Sequence, residues 1–160
     1  MMTMSILTKN SAKETAVHVG LKLVLADSYA LMGQTHLAHW NVEGSHFFSL
    51  HTAFQSQYEE LFLAIDELAE RLRALDVLAS GGLATLAKAS SIEEMAIEAA
   101  PAKDFVAHLA GSHEIVLANI IELREAAGVA GDLATQDLAI KRAQVHTKTL
   151  WMLKSFLKNL

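Results

Sequence analysis

Apolar residues recur every three or four positions along four long segments of the chain, which is the spacing of one face of an α-helix. The first segment runs from about residue 12 to 40 and the second from about 49 to 76. The third covers roughly 102–127, and the fourth follows Asp132, a residue type that caps helices, and continues to the end of the sequence. Helices of about 25 to 28 residues are about 40 Å long. Four of them in this order predict a four-helix bundle.

The connection between the second and third segments is longer and less regular than the other two connections. "ASGGLA" at 79–84 is expected to end the second helix, because paired glycines favour a helix C-terminus. Ser91 and Glu94 have the spacing of a capping box, which predicts a short helix capped by Ser91. Pro101 is expected to close this stretch and to open the third long helix. The expected fold class is all-α, a four-helix bundle with a short helix in the middle connection.

Composition agrees with this fold and bears on where the protein works. The chain has 160 residues, 52% of them apolar, with eight glycines and one proline, as expected for a single helical domain. We expect a short N-terminal tail at 1–11 and one domain at 12–160. The opening stretch "MMTMSILTKNSAKE" lacks the pattern of a secretory signal, and no apolar run is long enough to span a bilayer without polar groups. The sequence therefore predicts a cytoplasmic protein without a membrane-spanning helix.

The charged and sulfur-containing residues exclude several classes of function. The chain has no cysteine, which excludes disulfides, thiolate metal sites and cysteine nucleophiles. Its net charge is −5, whereas a general affinity for nucleic acid needs a positive field. Lys9, Lys13 and Lys22 give the start of the chain a slight positive bias, but three lysines are too few for a DNA-binding arm. Weak or absent DNA binding is therefore expected.

Eight histidines are many for a chain of this length, and together with carboxylates they make metal binding the chemistry to test. His39 falls on the stripe that the first helix would bury, where a single histidine is usually only hydrogen-bonded. Asp66 and Glu70 form an i, i+4 pair beside the apolar stripe of the second helix, and two such charges repel unless a cation lies between them. The alternative is that Arg71 and Arg73 neutralise this pair on a solvated face.

His51, near the start of the second helix, suggests another interpretation of these carboxylates, as ligands of a shared metal site. At helical rise Asp66 lies about 22 Å further along the same helix, so the two cannot hold one metal within one chain. Their angular positions on the helix differ by only about 60°. If two copies of this helix pair antiparallel about a twofold axis, His51 of one chain comes near Asp66 and Glu70 of the other. That geometry would create a site shared between subunits.

A di-iron centre inside the bundle is the competing arrangement, and it uses Glu-x-x-His pairs on the helices. The only such spacing is Glu43…His46, which falls in the linker between the first two helices, so an internal centre is disfavoured. Asp104 and His108 on the third helix have the i, i+4 spacing that could bind a metal. A hydrogen-bonded surface pair is the simpler interpretation of these two residues.

Two stretches, "HLAHWNVEGSHFFSLH" at 36–51 and "IDELAERLRAL" at 65–75, together resemble the Dps family, the DNA-binding proteins from starved cells, also called mini-ferritins. The resemblance rests on "HWN" at 39–41, on the histidine at position 51 and on the Asp-x-x-x-Glu-Arg pattern at 66–71. Helix lengths, the short middle helix and "LWMLKSFL" at 150–157 extend it over nearly the whole chain. It implies a ferritin-like subunit in a hollow homododecamer, with ferroxidase centres at the twofold interfaces.

The resemblance also implies which residues bind iron. In such proteins two histidines come from one subunit, and an aspartate and a glutamate come from its neighbour. The ligands carried over are His39, His51, Asp66 and Glu70. Imidazole and carboxylate ligands suit up to two irons, as Fe(II) and then Fe(III), and zinc would compete for them. One turn after the second histidine, where the family usually has an aspartate, this chain has Gln55, whose neutral oxygen would weaken the second iron position.

Four further residues have two interpretations each. His36, one turn before His39, is either an additional ligand or an ordinary helix histidine. The resemblance implies that Trp40 lies near the centre and passes an electron to the reacting iron; its alternative role is packing. Asp132 and Asp137 occupy the region that lines an acidic threefold iron-entry pore in relatives, or they are a helix cap and a first-turn acid.

The function implied by the resemblance is a ferroxidase that oxidises Fe(II) with hydrogen peroxide or oxygen and stores ferric mineral inside the shell, which protects against oxidative damage. Two alternatives stay open at this point. One is a DNA-compacting stress protein, as the family name suggests. The other is a metal-binding cage whose altered centre, with Gln55, turns over slowly or prefers another oxidant.

Overall fold

The computed structural model describes residues 14–96 and 98–158 and contains, within these ranges, five α-helices and no β-strand. The helices are α1 (Ala16–Asn41), α2 (Phe47–Ala74), α3 (Leu83–Ala89), α4 (Ala102–Ala130) and α5 (Leu133–Phe156). The four long helices correspond to the four predicted segments, and the all-α bundle with a short helix in the middle connection is confirmed. The predicted tail at 1–11 and the predicted start of α1 near residue 12 lie outside the described residues.

Ion pairs between α2 and α5 show that these two helices run antiparallel. Successive pairs join Arg71 to Asp132, Glu67 to Lys141 and Glu60 to Arg142. As the position on α2 moves toward its N-terminus, the partner on α5 moves toward the C-terminus. The start of α2 therefore lies beside the end of α5, where the rings of His46 and Phe156 meet edge to face at 5.2 Å. α1 packs against α2 and α4, and α4 packs against α5.

The short helix lies earlier in the connection than predicted. α3 begins after Gly82, so the glycine pair precedes this helix rather than ending α2, which stops at Ala74. Ser91 is not a helix cap, and the following residues up to Met95 are not helical. The capping-box prediction was wrong because the backbone N–H of Ser91 donates to Asp27 Oδ1 at 2.6 Å, which binds this segment to α1 instead.

Two buried polar side chains of α1 hold the middle connection in place. Asp27 also accepts hydrogen bonds from Ser90 Oγ at 2.9 Å and from Asn119 Nδ2 on α4 at 2.7 Å. Gln34 Oε1 accepts hydrogen bonds from the Met95 backbone at 2.8 Å and from His108 Nε2 at 3.1 Å. His108 therefore binds α1 through Gln34, and the predicted surface pair with Asp104 is replaced by this contact between helices.

α1 is long and apolar enough to cross a membrane by length and composition alone, but its apolar side is used inside the bundle. In its most apolar 18-residue window 44% is buried, and side chains such as Leu21, Val24 and Leu31 are fully buried. Phe54 of α2, and Phe105 and Ile120 of α4, also belong to this core. Burying such side chains contributes about 1.5–3 kcal/mol each, which keeps α1 in the centre of the fold.

Candidate metal centre

His39 and His51 meet where α1 ends and α2 begins. Each Nδ1 donates a hydrogen bond to the backbone carbonyl of the other residue, at 2.8 Å for His39 and 2.9 Å for His51. The two rings stack with centroids 3.8 Å apart and planes inclined by 19°. Both Nδ1 atoms carry a proton in these contacts, which leaves Nε2 as the ring atom that can offer a lone pair. That is the tautomer in which histidine binds a metal through Nε2.

The linker brings these two helix ends together. The backbone N–H of Val42, a buried residue, donates to the Ala38 carbonyl and closes α1. Gly44 then takes a φ of 97°, a left-handed value that glycine tolerates at little cost. Leu50 and Phe54 are buried and fix the first turns of α2 in the core. The arrangement of the two histidines therefore follows from a short, tightly turned linker between two well-packed helices.

An aromatic cluster surrounds the histidine pair. The Tyr58 ring meets His39 edge to face at 5.2 Å and lies 4.2 Å from the His36 ring. His36 in turn stacks on Trp40 at 5.1 Å with nearly parallel planes. The sequence alone assigned no role to Tyr58. Its position two helical turns after His51 was the signal that placed it on the same face.

His36 and Trp40 are thus next to the predicted centre. Burial, and then the nearby His39, lower the pKa of His36 below its ordinary value, so its ring is neutral at pH 7. Trp40 is 68% exposed. Within the subunit, Trp40 packs on His36 and leaves most of its surface exposed. A role of His36 or Trp40 in metal chemistry stays a prediction.

The carboxylates lie elsewhere on the subunit surface. Asp66 and Glu70 are exposed on α2, and among the described residues no group of three or more histidine, aspartate and glutamate side chains could hold a metal. Within one chain, the structure therefore does not bring the four predicted ligands together. The neighbouring Arg71 donates to Asp132 and to Thr135 on α5, at 2.7 Å and 2.8 Å, so its guanidinium is engaged between helices.

Apolar surface accompanies the exposed carboxylates. Phe62 and Leu63 on α2 are 66% and 65% exposed. Together with Leu25 and Tyr29 of α1, they line a groove of about 440 Å³ that also includes Asp66. Large exposed apolar side chains beside a polar group are typical of a surface that contacts another protein chain.

Gln55 lies on α2 one turn beyond His51. Its amide Nε2 donates to Glu59 Oε1 at 2.8 Å. This bond holds the amide group so that the nitrogen is occupied and the carbonyl oxygen keeps its lone pairs for another partner. A carbonyl oxygen is a weaker ligand for a hard cation than a carboxylate, because it brings no charge.

Asp132 acts as the cap of α5. It accepts a hydrogen bond from the Thr135 backbone at 3.0 Å and forms the ion pair with Arg71. Partial burial raises its pKa, but the Thr135 hydrogen bonds and the Arg71 charge outweigh burial, so the pKa is lowered overall. Asp137 is exposed, and Lys141, one turn further on, binds Glu67 at 2.9 Å. The cap interpretation of Asp132 is confirmed, and the entry pore stays a prediction.

The bundle interior contains a polar cluster that the sequence interpretation did not assign. His113 of α4, His146 and Arg142 of α5, and Glu60 of α2 are joined by hydrogen bonds and an ion pair. The side chain of Arg142 is 1% exposed. The positive charge of Arg142 is paired with the carboxylate of Glu60. The expectation that an internal di-iron centre is disfavoured stays a prediction.

Comparison with known proteins agrees with the bundle. The family model for a ferritin-like domain matches residues 20–160. The DNA protection during starvation protein of Brevibacillus brevis is 34% identical over 89% of this chain and 95% of its own length. A low temperature-induced protein of Nostoc, uncharacterised, is 33% identical over 84% of this chain and 75% of its own.

A solved structure shares this helical architecture. The Dps protein of Vibrio cholerae, described as a member of a broad superfamily of ferritin-like diiron-carboxylate proteins, has a TM-score of 0.84 to this chain at 30% identity. The match covers 89% of both chains. A ferritin-like domain over most of the chain, a Dps relative aligned along nearly its full length and this shared fold lead to one conclusion: the chain belongs to the Dps family of ferritin-like proteins.

Proposed function

We propose that this protein is a ferroxidase and iron-storage protein, which oxidises Fe(II) with hydrogen peroxide and holds the ferric product inside a homododecamer. The observation that carries the proposal is the crossed pair of His39 and His51. Each Nδ1–H donates a hydrogen bond to the backbone carbonyl of the other residue, at 2.8 Å and 2.9 Å, so both Nε2 atoms can bind a cation. The two rings are stacked with their centroids 3.8 Å apart.

The other half of the centre comes from a second subunit in this proposal. Asp66 and Glu70 are exposed beside Phe62 and Leu63, the apolar surface that a partner would cover. When two α2 helices pair antiparallel about a twofold axis, His51 of each chain faces the carboxylates of the other, and two equivalent centres form per dimer. Imidazole and carboxylate together suit Fe(II), and the carboxylates favour the Fe(III) product.

The overall reaction needs two electrons from iron for each peroxide. Two Fe(II) ions each lose one electron, the O–O bond of hydrogen peroxide breaks, and with two waters the products are two FeOOH units and four protons. Since Fe(II) and peroxide are consumed together, neither remains to generate hydroxyl radicals. We expect the protective effect to come from this removal of both reagents.

Gln55 makes the two iron positions unequal. The position near Asp66 and Glu70 receives full carboxylate charge, whereas the position near Gln55 receives only a neutral oxygen held by the bond to Glu59. We therefore expect one tight and one weak iron position in each shared centre. Zinc, which also binds imidazole and carboxylate, would occupy the tight position and inhibit iron oxidation.

Anaerobic loading of the assembled protein with Fe(II), followed by separate additions of peroxide and oxygen, tests the proposal through ferric absorbance. Rapid oxidation with peroxide that is lost in Asp66→Ala is expected. Glu67→Gln is the matched control, because Glu67 is the adjacent residue and binds Lys141 of its own chain. Iron binding without oxidation faster than buffer would reject the ferroxidase and favour a metal-binding cage with a slow centre.

DNA compaction is the alternative function that the names of the relatives suggest. The net charge of −5 opposes it, because DNA binding gains most of its free energy from neutralised phosphates. We expect little retardation of duplex DNA at physiological salt. Retardation that weakens steeply with added salt would support a DNA-binding role instead.

A further inference from the structure

Two histidines in the centre of the bundle are not used by the proposed metal chemistry. His113 on α4 is 3% exposed and His146 on α5 is fully buried. Their Nδ1 atoms are 2.9 Å apart. Arg142, one turn before His146, has its Nη2 atom 3.2 Å from His146 Nε2 and binds both carboxylate oxygens of Glu60. The cluster therefore connects α2, α4 and α5.

Arg142 determines where the protons of this cluster lie. A guanidinium only donates hydrogen bonds, so His146 Nε2 must accept one and carries no proton. The proton of His146 is then on Nδ1, which donates to His113 Nδ1. His113, an acceptor at Nδ1, carries its own proton on Nε2. One tautomer of each ring satisfies every contact, and both rings are neutral in it.

A further proton cannot enter without breaking a hydrogen bond. On His146 Nε2 it would face the N–H of Arg142 Nη2, two donors and two positive charges at 3.2 Å. On His113 Nδ1 it would face the N–H of His146 at 2.9 Å. Either position replaces a donor–acceptor contact by a donor–donor contact in a site closed to water, where the repulsion is strong.

Within the described part of the chain, no free carboxylate faces the histidine pair to stabilise an added positive charge. His113 Nε2, Arg142 Nε and Gln57 Oε1 are buried there without a hydrogen-bond partner. Glu60 is the carboxylate that faces the cluster, and Arg142 already occupies it. The ionisable side chains that α1 buries are Asp27 and His39; the former binds Asn119 and the latter binds His51.

We propose that the His113–His146 pair is an acid-sensitive lock, which joins α4 to α5 while both rings are neutral and forces them apart when either ring is protonated. Burial, and then the Arg142 charge, lower the pKa of His113 to about 4. Burial, His113 and Arg142 lower the pKa of His146 well below its ordinary value. In the unfolded chain both rings titrate near pH 6.5.

The direction of the pH effect follows from proton binding. Below about pH 6.5 the unfolded chain takes up protons that the folded chain refuses, so acid shifts the equilibrium toward unfolding. The stability that the pair contributes is complete above pH 6.5 and is lost progressively as the pH falls toward 4. Two linked protons change the unfolding equilibrium constant by up to about a hundredfold per pH unit, and one proton by about tenfold.

Urea unfolding of the full-length, metal-free protein between pH 7.5 and 4.5 tests the lock. His113→Asn keeps an oxygen that can accept from His146 Nδ1 but cannot be protonated. In this variant the unfolding equilibrium constant is expected to change by about tenfold less per pH unit than in the wild type, because one linked proton is removed. His46→Asn, at an exposed linker position, is the control and should leave the dependence unchanged. An unchanged dependence in His113→Asn would overturn the proposal.

Imidazole NMR titration of the wild type provides a second readout that needs no variant. Two histidine signals that stay neutral to below pH 5 and move only as the fold is lost are expected. Titration of all eight histidines near pH 6.5 in the folded protein would overturn the lock. Because neither measurement involves iron, failure of the lock and failure of the ferroxidase proposal are distinguishable.

Discussion

This subunit contains two histidine pairs that differ in their hydrogen-bond partners and in the charge beside them. In the His39–His51 pair, each Nδ1 donates to a backbone carbonyl and both Nε2 atoms keep a lone pair. In the His113–His146 pair, the rings bind each other and Arg142 supplies a positive charge. The first pair lies at a helix junction near the surface, whereas the second is closed inside the core. The partner of Nδ1 and the nearest charge therefore decide whether a histidine pair suits a cation or repels a proton.

The largest expected effect comes from removing the charge that defines the core pair. Arg142→Ala leaves the buried His146 Nε2 without its donor and opens a cavity, whereas the half-buried Glu60 can be solvated, so we expect a loss of about 2–4 kcal/mol in the free energy of unfolding. Urea unfolding at pH 7.5 measures it. Arg124→Ala, in which the half-exposed Arg124 loses its ion pair with adjacent Glu125, should stay within about 0.5 kcal/mol. A loss below about 1 kcal/mol for Arg142→Ala would mean that the core cluster contributes little.

A smaller effect is expected at the His39–His51 pair, where a change of ligand charge should alter metal affinity. Gln55→Asp places a charged oxygen one turn beyond His51, and we expect the weaker metal position to bind about tenfold more tightly because ligand charge sets affinity for hard cations. Anaerobic calorimetry with Fe(II) would resolve the two positions. Ser56→Asp adds the same charge one residue away and should leave the weak position unchanged. Equal tightening by both variants would indicate general electrostatic attraction, with no direct role for residue 55.

The sequence was sufficient to locate the long helices and to place His39 and His51 at the facing ends of two consecutive helices, because both depend on local patterns. Helical periodicity located the four long helices, and His39 and His51 are separated only by one short linker and the first turn of α2. The crossed hydrogen bonds needed the structure, since they involve backbone carbonyls that no side-chain pattern encodes. The role of Tyr58 was missed for a related reason: its aromatic contacts lie across two helices.

The remaining differences come from tertiary contacts that override local signals. Ser91 and Glu94 have the spacing of a capping box, but the backbone N–H of Ser91 donates to Asp27, a buried carboxylate on α1, and the segment is not helical. His113 and His146 are 33 residues apart on different helices, so nothing in sequence spacing connects them. Only the packing of α4 on α5 brings their rings together and places Arg142 beside them.

Mixing two defective subunits tests the shared centre most directly. His51→Ala and Asp66→Ala chains are each expected to lose rapid oxidation of Fe(II) by peroxide when assembled alone. In a mixed dimer one centre carries both defects and the other carries none, so random assembly should restore about a quarter of the centres. Recovery of about that fraction of the wild-type rate is the predicted result. No recovery after confirmed co-assembly would contradict a centre built from His51 of one chain and Asp66 of its neighbour.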